Sequence, residues 1–328
     1  MTESSFRNLV RGKNVVFITV KNKSYIRVTQ IKRLLEKEAS SVEMYSSEKS
    51  NPITRTIDLK RRLKQIDLSK ADVVVVGFLP QLLWKEVRSK TKAKLVAEMF
   101  LCLYDTVILD RKLFRDGWWI AGMLRRLDKQ VIDSADIVIT DTQANAEFIA
   151  SVYGADKNKF ETLYLEADRE YYDAVEHEPK EEYQVLYFGT GLPLQGTDIV
   201  LDAFNKVTAT NGNIKCVFVG KTRGVSNQIL KAAADNPSVK LLKWLNQNNL
   251  AKKISESDLC IAGHFNLYID KAARTIPGKA FIYDMMNKPM ILGDTKANRE
   301  LFTDDDRHIF VRRGDSEALA ECIRKYLS

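Results

Sequence analysis

At 328 residues, with 45% hydrophobic and 29% charged residues, the chain has room for two α/β domains with a core each. It holds no apolar run near the roughly 20 residues that a membrane-spanning helix requires, and its opening, MTESSFRNLVRGKNVVFITV, lacks the long apolar core of a secretion signal. A net charge of +8 asks for an anionic partner, which nucleic acid, an anionic membrane surface or a phosphorylated small molecule would each provide. Nucleic acid has no recognised motif in its favour. The cysteines (Cys102, Cys216, Cys260 and Cys322) show neither metal-ligand nor CxxC spacing, so packed thiols in a reducing, cytoplasmic location are the expectation.

Residues 15–20 read as a first strand, and 21–38 as a loop running into an amphipathic helix with Ile26, Ile31, Leu34 and Leu35 on its apolar stripe and Tyr25 at the edge. No GxGxxG follows that strand, which argues against a dinucleotide-binding half. A second strand is expected at 42–45, a polar loop at 46–53 and a basic helix at 57–66. The β-branched run 73–76 has the composition of a central parallel strand. Further strands are expected at 95–100, 135–140 and 160–165, with helices at 81–88 and 144–152 between them. Between 103 and 126 the chain carries Asp105 and Asp110, then Trp118-Trp119 within a collar of arginines and a lysine. That segment either rests at a bilayer interface or forms a core helix with a solvated face.

The polar stretch 167–182 is the best linker candidate, placing an N-terminal domain at 1–170, a linker at 171–183 and a C-terminal domain at 184–328. Strands and helices alternate on both sides of it, so each half is expected to be a doubly wound sheet. In the second half a strand leads to Gly189, Gly191 and Gly196 ahead of an amphipathic helix. Glycines there either let backbone N–H groups approach an anion or simply make a tight turn. Farther on, the apolar run 259–262 ends at Gly263 and gives way to a polar loop with Lys271, Arg274 and Lys279. Pro277 and Gly278 precede a helix at 280–286, Lys288-Pro289 ends it, and 290–292 is the next strand. The cations therefore collect at the carboxyl end of a parallel sheet, where an open α/β sheet binds anions.

IPGKAFIYDMMNKPMI, from Ile276 to Ile291, resembles the nucleotide-sugar-binding segment of retaining GT-B glycosyltransferases, usually worded IPxKxFEYLAxGKPVI. VLYFGTGLPLQGTDIVLDAF, at 185–204, resembles the first strand, glycine loop and helix of the same family's C-terminal domain. Short words in the first half (VGFLPQLL, LYDTVILDRKLF and ITDTQANAEFIA) are similar to a branch of the glycosyltransferase family four type that is linked with surface polysaccharides.

The resemblance implies an α/β fold of two Rossmann-like domains facing a cleft, with a nucleotide-diphosphate sugar as donor and a glycan or lipid-linked acceptor. It implies transfer with retention and neither cofactor nor metal. The donor-binding residues it suggests are Gly189, Thr190, Gly191, Lys221, Arg223, Arg274 and Lys279, each cation being otherwise a surface charge. Asp105 and Asp110 are candidates for holding acceptor hydroxyls or removing a proton, or else cap a helix or pair with Arg111. His264, after a strand, either touches sugar or phosphate or is structural. Four positions depart from the family's wording: Thr190 and Gln195 stand where it has an arginine and a lysine, and Arg274 and Ile282 where it has a pair of acids eight positions apart. Thr190, Gln195 and Ile282 motivate one rival, a degenerate binding subunit; a sugar-nucleotide epimerase, which shares the fold, is a second. The charge and the tryptophans add an expectation of peripheral association with the inner face of the cell membrane.

Overall fold

Three times the chain places an aspartate directly before a run of strand-forming residues, and each time it pins the neighbouring strand. In the computed structural model, which describes residues 4–173, 182–210 and 212–328, Asp72 Oδ2 accepts the Asn14 N–H at 2.8 Å, Asp136 Oδ2 the Leu95 N–H at 2.8 Å, and Asp258 Oδ2 the Gln184 N–H at 2.5 Å. Each carboxylate satisfies a backbone donor that the ladder leaves open at a strand's start.

The chain divides after Glu166 into two compact units. In the first, α1 (Ser5–Val10), β1 (Asn14–Thr19), α2 (Ile26–Glu38), β2 (Ser41–Tyr45), α3 (Pro52–Leu63), β3 (Val73–Gly77), α4 (Trp84–Arg88), β4 (Lys94–Glu98), α5 (Trp119–Ser134), β5 (Ile137–Thr140), α6 (Gln143–Tyr153) and β6 (Phe160–Thr162) follow in turn. In the second come β7 (Tyr183–Gly189), α7 (Thr197–Thr210), β8 (Ile214–Gly220), α8 (Asn227–Asp235), β9 (Val239–Leu242), α9 (Gln247–Ser255), β10 (Leu259–Gly263), α10 (Lys271–Arg274), α11 (Gly278–Met285), β11 (Met290–Gly293), β12 (His308–Val311) and α12 (Ser316–Tyr326). Residues 174–181 of the expected linker lie outside the described residues. Ahead of them Tyr172 is buried in the second unit, its hydroxyl bonded to the Gln247 side chain.

Both sheets are six-stranded and parallel, in the orders β2-β1-β3-β4-β5-β6 and β12-β11-β10-β7-β8-β9. The fold is thus α/β, two doubly wound parallel-sheet domains. In β3, Val74 and Val76 pack on one face with Leu59, Leu63 and Trp84, while Val73 and Val75 pack on the other with Phe6, Val28 and Ile31. Burial of side chains of this size contributes about 1.5–3 kcal/mol each, which is why an uninterrupted valine run sits at the centre of the sheet. The second unit has a comparable core built from β7, α7, β8 and α12. The direction in which successive strands are added reverses between β1 and β3 in the first sheet and between β7 and β10 in the second. These reversals open a crevice at the carboxyl ends of the strands.

Several elements differ from the sequence expectation. α3 starts at Pro52, inside the expected loop, because Asn51 caps it by accepting the Ile53 N–H at 2.8 Å. Asp105–Asp110, for which the sequence indicated no element, is a π-helical turn. Asp128, fully buried on α5, organises its start by accepting the N–H groups of Leu103 and Tyr104, both at 2.9 Å. No helix among the described residues is long and apolar enough to cross a membrane.

Candidate functional site

Beside the β7–β10 junction the second sheet brings three loops together, those after β7, β8 and β10, and glycine contacts show how closely. Gly191 (φ +72°) lies against the loop after β8, where an added Cβ would come within 2.9 Å of the Lys221 carbonyl and 3.3 Å of the Arg223 Cβ. A Cβ on Gly196 (φ +64°) would meet the Asn266 nitrogen at 2.9 Å, in the loop after β10. Side chains at either place would push these loops apart.

Gln195 determines what the glycine loop offers. Its side-chain Oε1 accepts the N–H of Gly191 at 3.0 Å and of Leu192 at 3.2 Å. The backbone donors that a phosphate would meet are therefore already engaged from within. A lysine at this place could not accept those bonds, so the departure at Gln195 changes the loop's internal bonding as well as its charge.

The cations that the sequence placed in a polar loop are held in structured, buried positions. Lys271 and Arg274 lie on the single turn α10, 7% and 9% exposed, and Lys279 in the first turn of α11, 5% exposed. The Lys279 ammonium sits 3.7 Å from the centre of the Tyr187 ring and 5.6 Å from that of Phe188, with no hydrogen-bond partner for Nζ among the described residues. Burial disfavours its charged form and lowers its pKa well below the ordinary lysine value.

His264 follows β10 and is also buried, its Nδ1 without a partner among the described residues. Burial first, then the charges of Lys279, Arg313 and Lys271, bring its pKa down to about 3, against a hydrogen bond to the Thr275 backbone that works the other way. The imidazole is neutral at physiological pH. Lys279 and Lys271, whose charges both act on His264, form a cationic cradle around it at the crevice, and Arg274 is buried on the same turn as Lys271.

Other expected site residues lie elsewhere. Lys221 and Arg223 are exposed on the loop after β8. Thr190 borders the glycine loop, its hydroxyl 3.5 Å from the Gln195 amide. Asp105 and Asp110 are buried in the first unit, 4% and 8% exposed, and share no unit with the cradle. Ile282 is half-buried on α11. Lys288, in the family-like word, donates to the Ser255 and Ser257 carbonyls at 2.7 and 3.0 Å and braces the corner between α9 and β11.

Lys271, named in the sequence as one of the loop cations, lies on a helical turn and is buried, and one contributor escaped the sequence reading, Trp244. It is 54% exposed after β9, with its ring 6.3 Å from that of Phe188 in an edge-on arrangement. A tryptophan closing the strand-like word VKLLKW was the available signal. Among the described residues no group of three His, Cys, Asp or Glu could hold a metal ion.

Residues 182–328 match the family model described as "Glycosyl transferases group 1". No curated protein matches the chain. Among solved structures it is similar to HepE of Anabaena in complex with UDP, with 15% identity, a TM-score of 0.65, and coverage of 96% of this chain and 90% of that one. Sucrose-phosphate synthase of Thermosynechococcus elongatus gives 12%, 0.68, 96% and 90%. A Listeria monocytogenes protein described as a UDP-N-acetylglucosamine 2-epimerase gives 12%, 0.58, 96% and 88%. At such identities the likeness establishes the fold, the GT-B pairing of two Rossmann-like domains. The match to the glycosyltransferase family model lies within the C-terminal unit.

Proposed function

We propose that the chain moves a sugar from a nucleoside-diphosphate sugar to a glycan or lipid-linked acceptor, with retention and without a metal ion. The C-terminal unit binds the donor and the N-terminal unit the acceptor. The observation that carries this reading is Lys279, a buried ammonium without a hydrogen-bond partner among the described residues, at the crevice of the unit that matches the family model. A buried unpaired cation is costly, and a diphosphate would supply the missing counter-charge.

Arg274 and Lys271 stand close in the chain to share that load, and Lys221 and Arg223 reach the same loop cluster from β8. In this reading the Trp244 ring offers a face to the nucleobase. His264, neutral, serves as a hydrogen-bonding group to the phosphate or sugar. Asp105 or Asp110 assists removal of the acceptor proton. Cations aimed at a departing diphosphate stabilise the charge that develops there in the transition state.

Because HepE was solved with UDP, UDP is the first probe. Lys279→Met keeps the bulk of the stem and removes the charge. UDP should then bind about 1.5–3 kcal/mol more weakly, the range for hydrogen bonds to charged groups, while uridine, which lacks phosphate, should bind as before. Tryptophan fluorescence titration reads both, and unchanged UDP affinity in the variant would remove Lys279 from the site.

One observation favours a second reading. Gln195 already occupies the Gly191 and Leu192 N–H groups, and Ile282 cannot bond ribose hydroxyls, as expected of a non-catalytic binding subunit. UDP binding without turnover across a panel of UDP-sugars and acceptors would decide for it. An epimerase would instead release the isomerised sugar with no acceptor present.

We also propose that the chain associates peripherally with an anionic membrane through the exposed segment around Trp118 and Trp119. The support is exposure of Leu113 (61%), Trp118 (52%) and Trp119 (75%) beside Arg111, Lys112 and Arg115.

A further inference from the structure

The first sheet has its own reversal, between β1 and β3, and the residues gathered there have had no role so far. Three neighbouring strands each send an aromatic side chain to their carboxyl end: Tyr25 beyond β1, Phe78 beyond β3 and Phe100 beyond β4. The rings form one cluster. Tyr25 meets Phe78 edge-on at 5.3 Å and Phe100 at 6.5 Å, and Phe78 stacks on Phe100 at 6.1 Å. All three are half-buried, so part of the cluster faces solvent.

The Lys21 ammonium stands over this platform, 4.5 Å from the Tyr25 ring centre and 4.7 Å from that of Phe78. Its neighbour is Arg55, of the same sign, and among the described residues neither pairs with a carboxylate. Burial and that arginine both lower the lysine pKa. A lone cation over rings is an ordinary surface contact. Two half-buried cations in electrostatic reach of each other, Arg55 bonded to the Lys49 carbonyl and neither to an acid among the described residues, make a local conflict of the kind that folds retain at binding sites.

The backbone carries a second sign. Phe78 is a non-glycine residue in the left-handed region, at φ +69°. It is held there because its N–H donates to Glu98 Oε2 at 2.7 Å, while Glu98 Oε1 accepts from the buried Arg27 at 3.1 Å. Arg27 and Glu98 are 0% and 1% exposed. A buried ion pair thus fixes the strained residue and, through it, the direction of the ring. Such strain persists only where the surroundings impose it, and it clusters at sites that hold ligands.

We infer that Tyr25, Phe78 and Phe100, with Lys21 and Arg55, form a subsite for a sugar ring bearing an anionic substituent, phosphate or carboxylate, and that the acceptor is of this class. The rings take the apolar C–H face of the sugar, and the two cations take its negative group. The inference rests on the glycosyl-transfer reading only for the word acceptor; the subsite itself does not depend on the donor cradle.

Ligand-observed NMR on the full chain tests it, with UDP saturating so that the second unit's cations are occupied. Glucose 1-phosphate and glucuronate represent the two anion types, glucose is the neutral control, and inorganic phosphate is the bare anion. At least one sugar anion should bind ten-fold or more tightly than glucose and than phosphate. Lys21→Gln should abolish the preference over glucose. Phe78→Gly, which suits the left-handed backbone and so preserves the fold, should abolish the preference over phosphate. UDP affinity should not change in either variant.

Equal binding of glucose and both sugar anions, or an unchanged preference in Lys21→Gln, overturns the inference. Tight binding of inorganic phosphate alone would mean a plain anion patch, and would overturn it too. If the parent chain binds no UDP yet prefers sugar anions in this pattern, the donor reading fails while the subsite stands.

Discussion

His264 illustrates how much a single buried side chain can tie to pH. Its pKa of about 3 lies below the ordinary 6.5, so the folded state resists a proton that the unfolded chain accepts. The stability present above pH 6.5 is therefore lost as pH falls from 6.5 towards 3, since there the unfolded state binds more protons. Between pH 7.5 and 5.5 this group alone should take away about 1.4 kcal/mol. His264→Gln, which cannot titrate, should lose that much less over the same interval in urea unfolding. An equal loss in parent and variant would mean that the imidazole is accessible to protons in the fold.

At the scale of elements, the helix–strand word from Pro277 to Met290 contains two lysines of opposite purpose. Lys279 stands over the Tyr187 ring with no hydrogen-bond partner for Nζ among the described residues, whereas Lys288 spans to the Ser255 and Ser257 carbonyls. Lys288→Met should cost about 3 kcal/mol, because two charge-assisted bonds vanish and two buried carbonyls are left without their donor. UDP affinity of the folded variant should be unchanged; a large loss of affinity with little loss of stability would reverse the assignment. The strands were legible in the sequence because both sheets are parallel and buried on two faces, so each strand reads as an apolar run such as VVVV or LCIA. The donor-side cations were legible as types at a sheet end. Their burial was not, since Lys271 and Arg274 sit on a one-turn helix with no periodicity to reveal it. The aromatic platform was equally hidden: Tyr25, Phe78 and Phe100 are 53 and 22 residues apart in sequence and meet only through strand order. Nor could sequence show that Gln195 would bond its own loop.

For the molecule as a whole, the question is where it works. The exposed segment at the start of α5 joins Leu113, Phe114, Trp118 and Trp119 to a cationic collar. Tryptophan at the headgroup level and cations facing anionic lipid would reinforce each other. The chain should therefore sediment with vesicles rich in phosphatidylglycerol and remain in solution with phosphatidylcholine vesicles. Added salt should release it, and Trp118→Ser with Trp119→Ser should abolish the binding. Sedimentation that ignores lipid charge, or survives the double substitution, would place any membrane contact elsewhere.

The lysine at the head of α11 has one more consequence, in the heat of binding. Burial lowers the pKa of this amine, and a diphosphate arriving beside it would raise that pKa again. Nucleotide entry should then draw a proton from the buffer, and affinity should weaken as pH rises. Calorimetry in Tris, whose ionisation absorbs much heat, and in phosphate, whose ionisation absorbs little, should give different apparent enthalpies for the same event. The difference between the two enthalpies, divided by the difference in buffer heats, counts the protons exchanged. Identical enthalpies in the two buffers would mean that Lys279 holds its proton before the nucleotide comes.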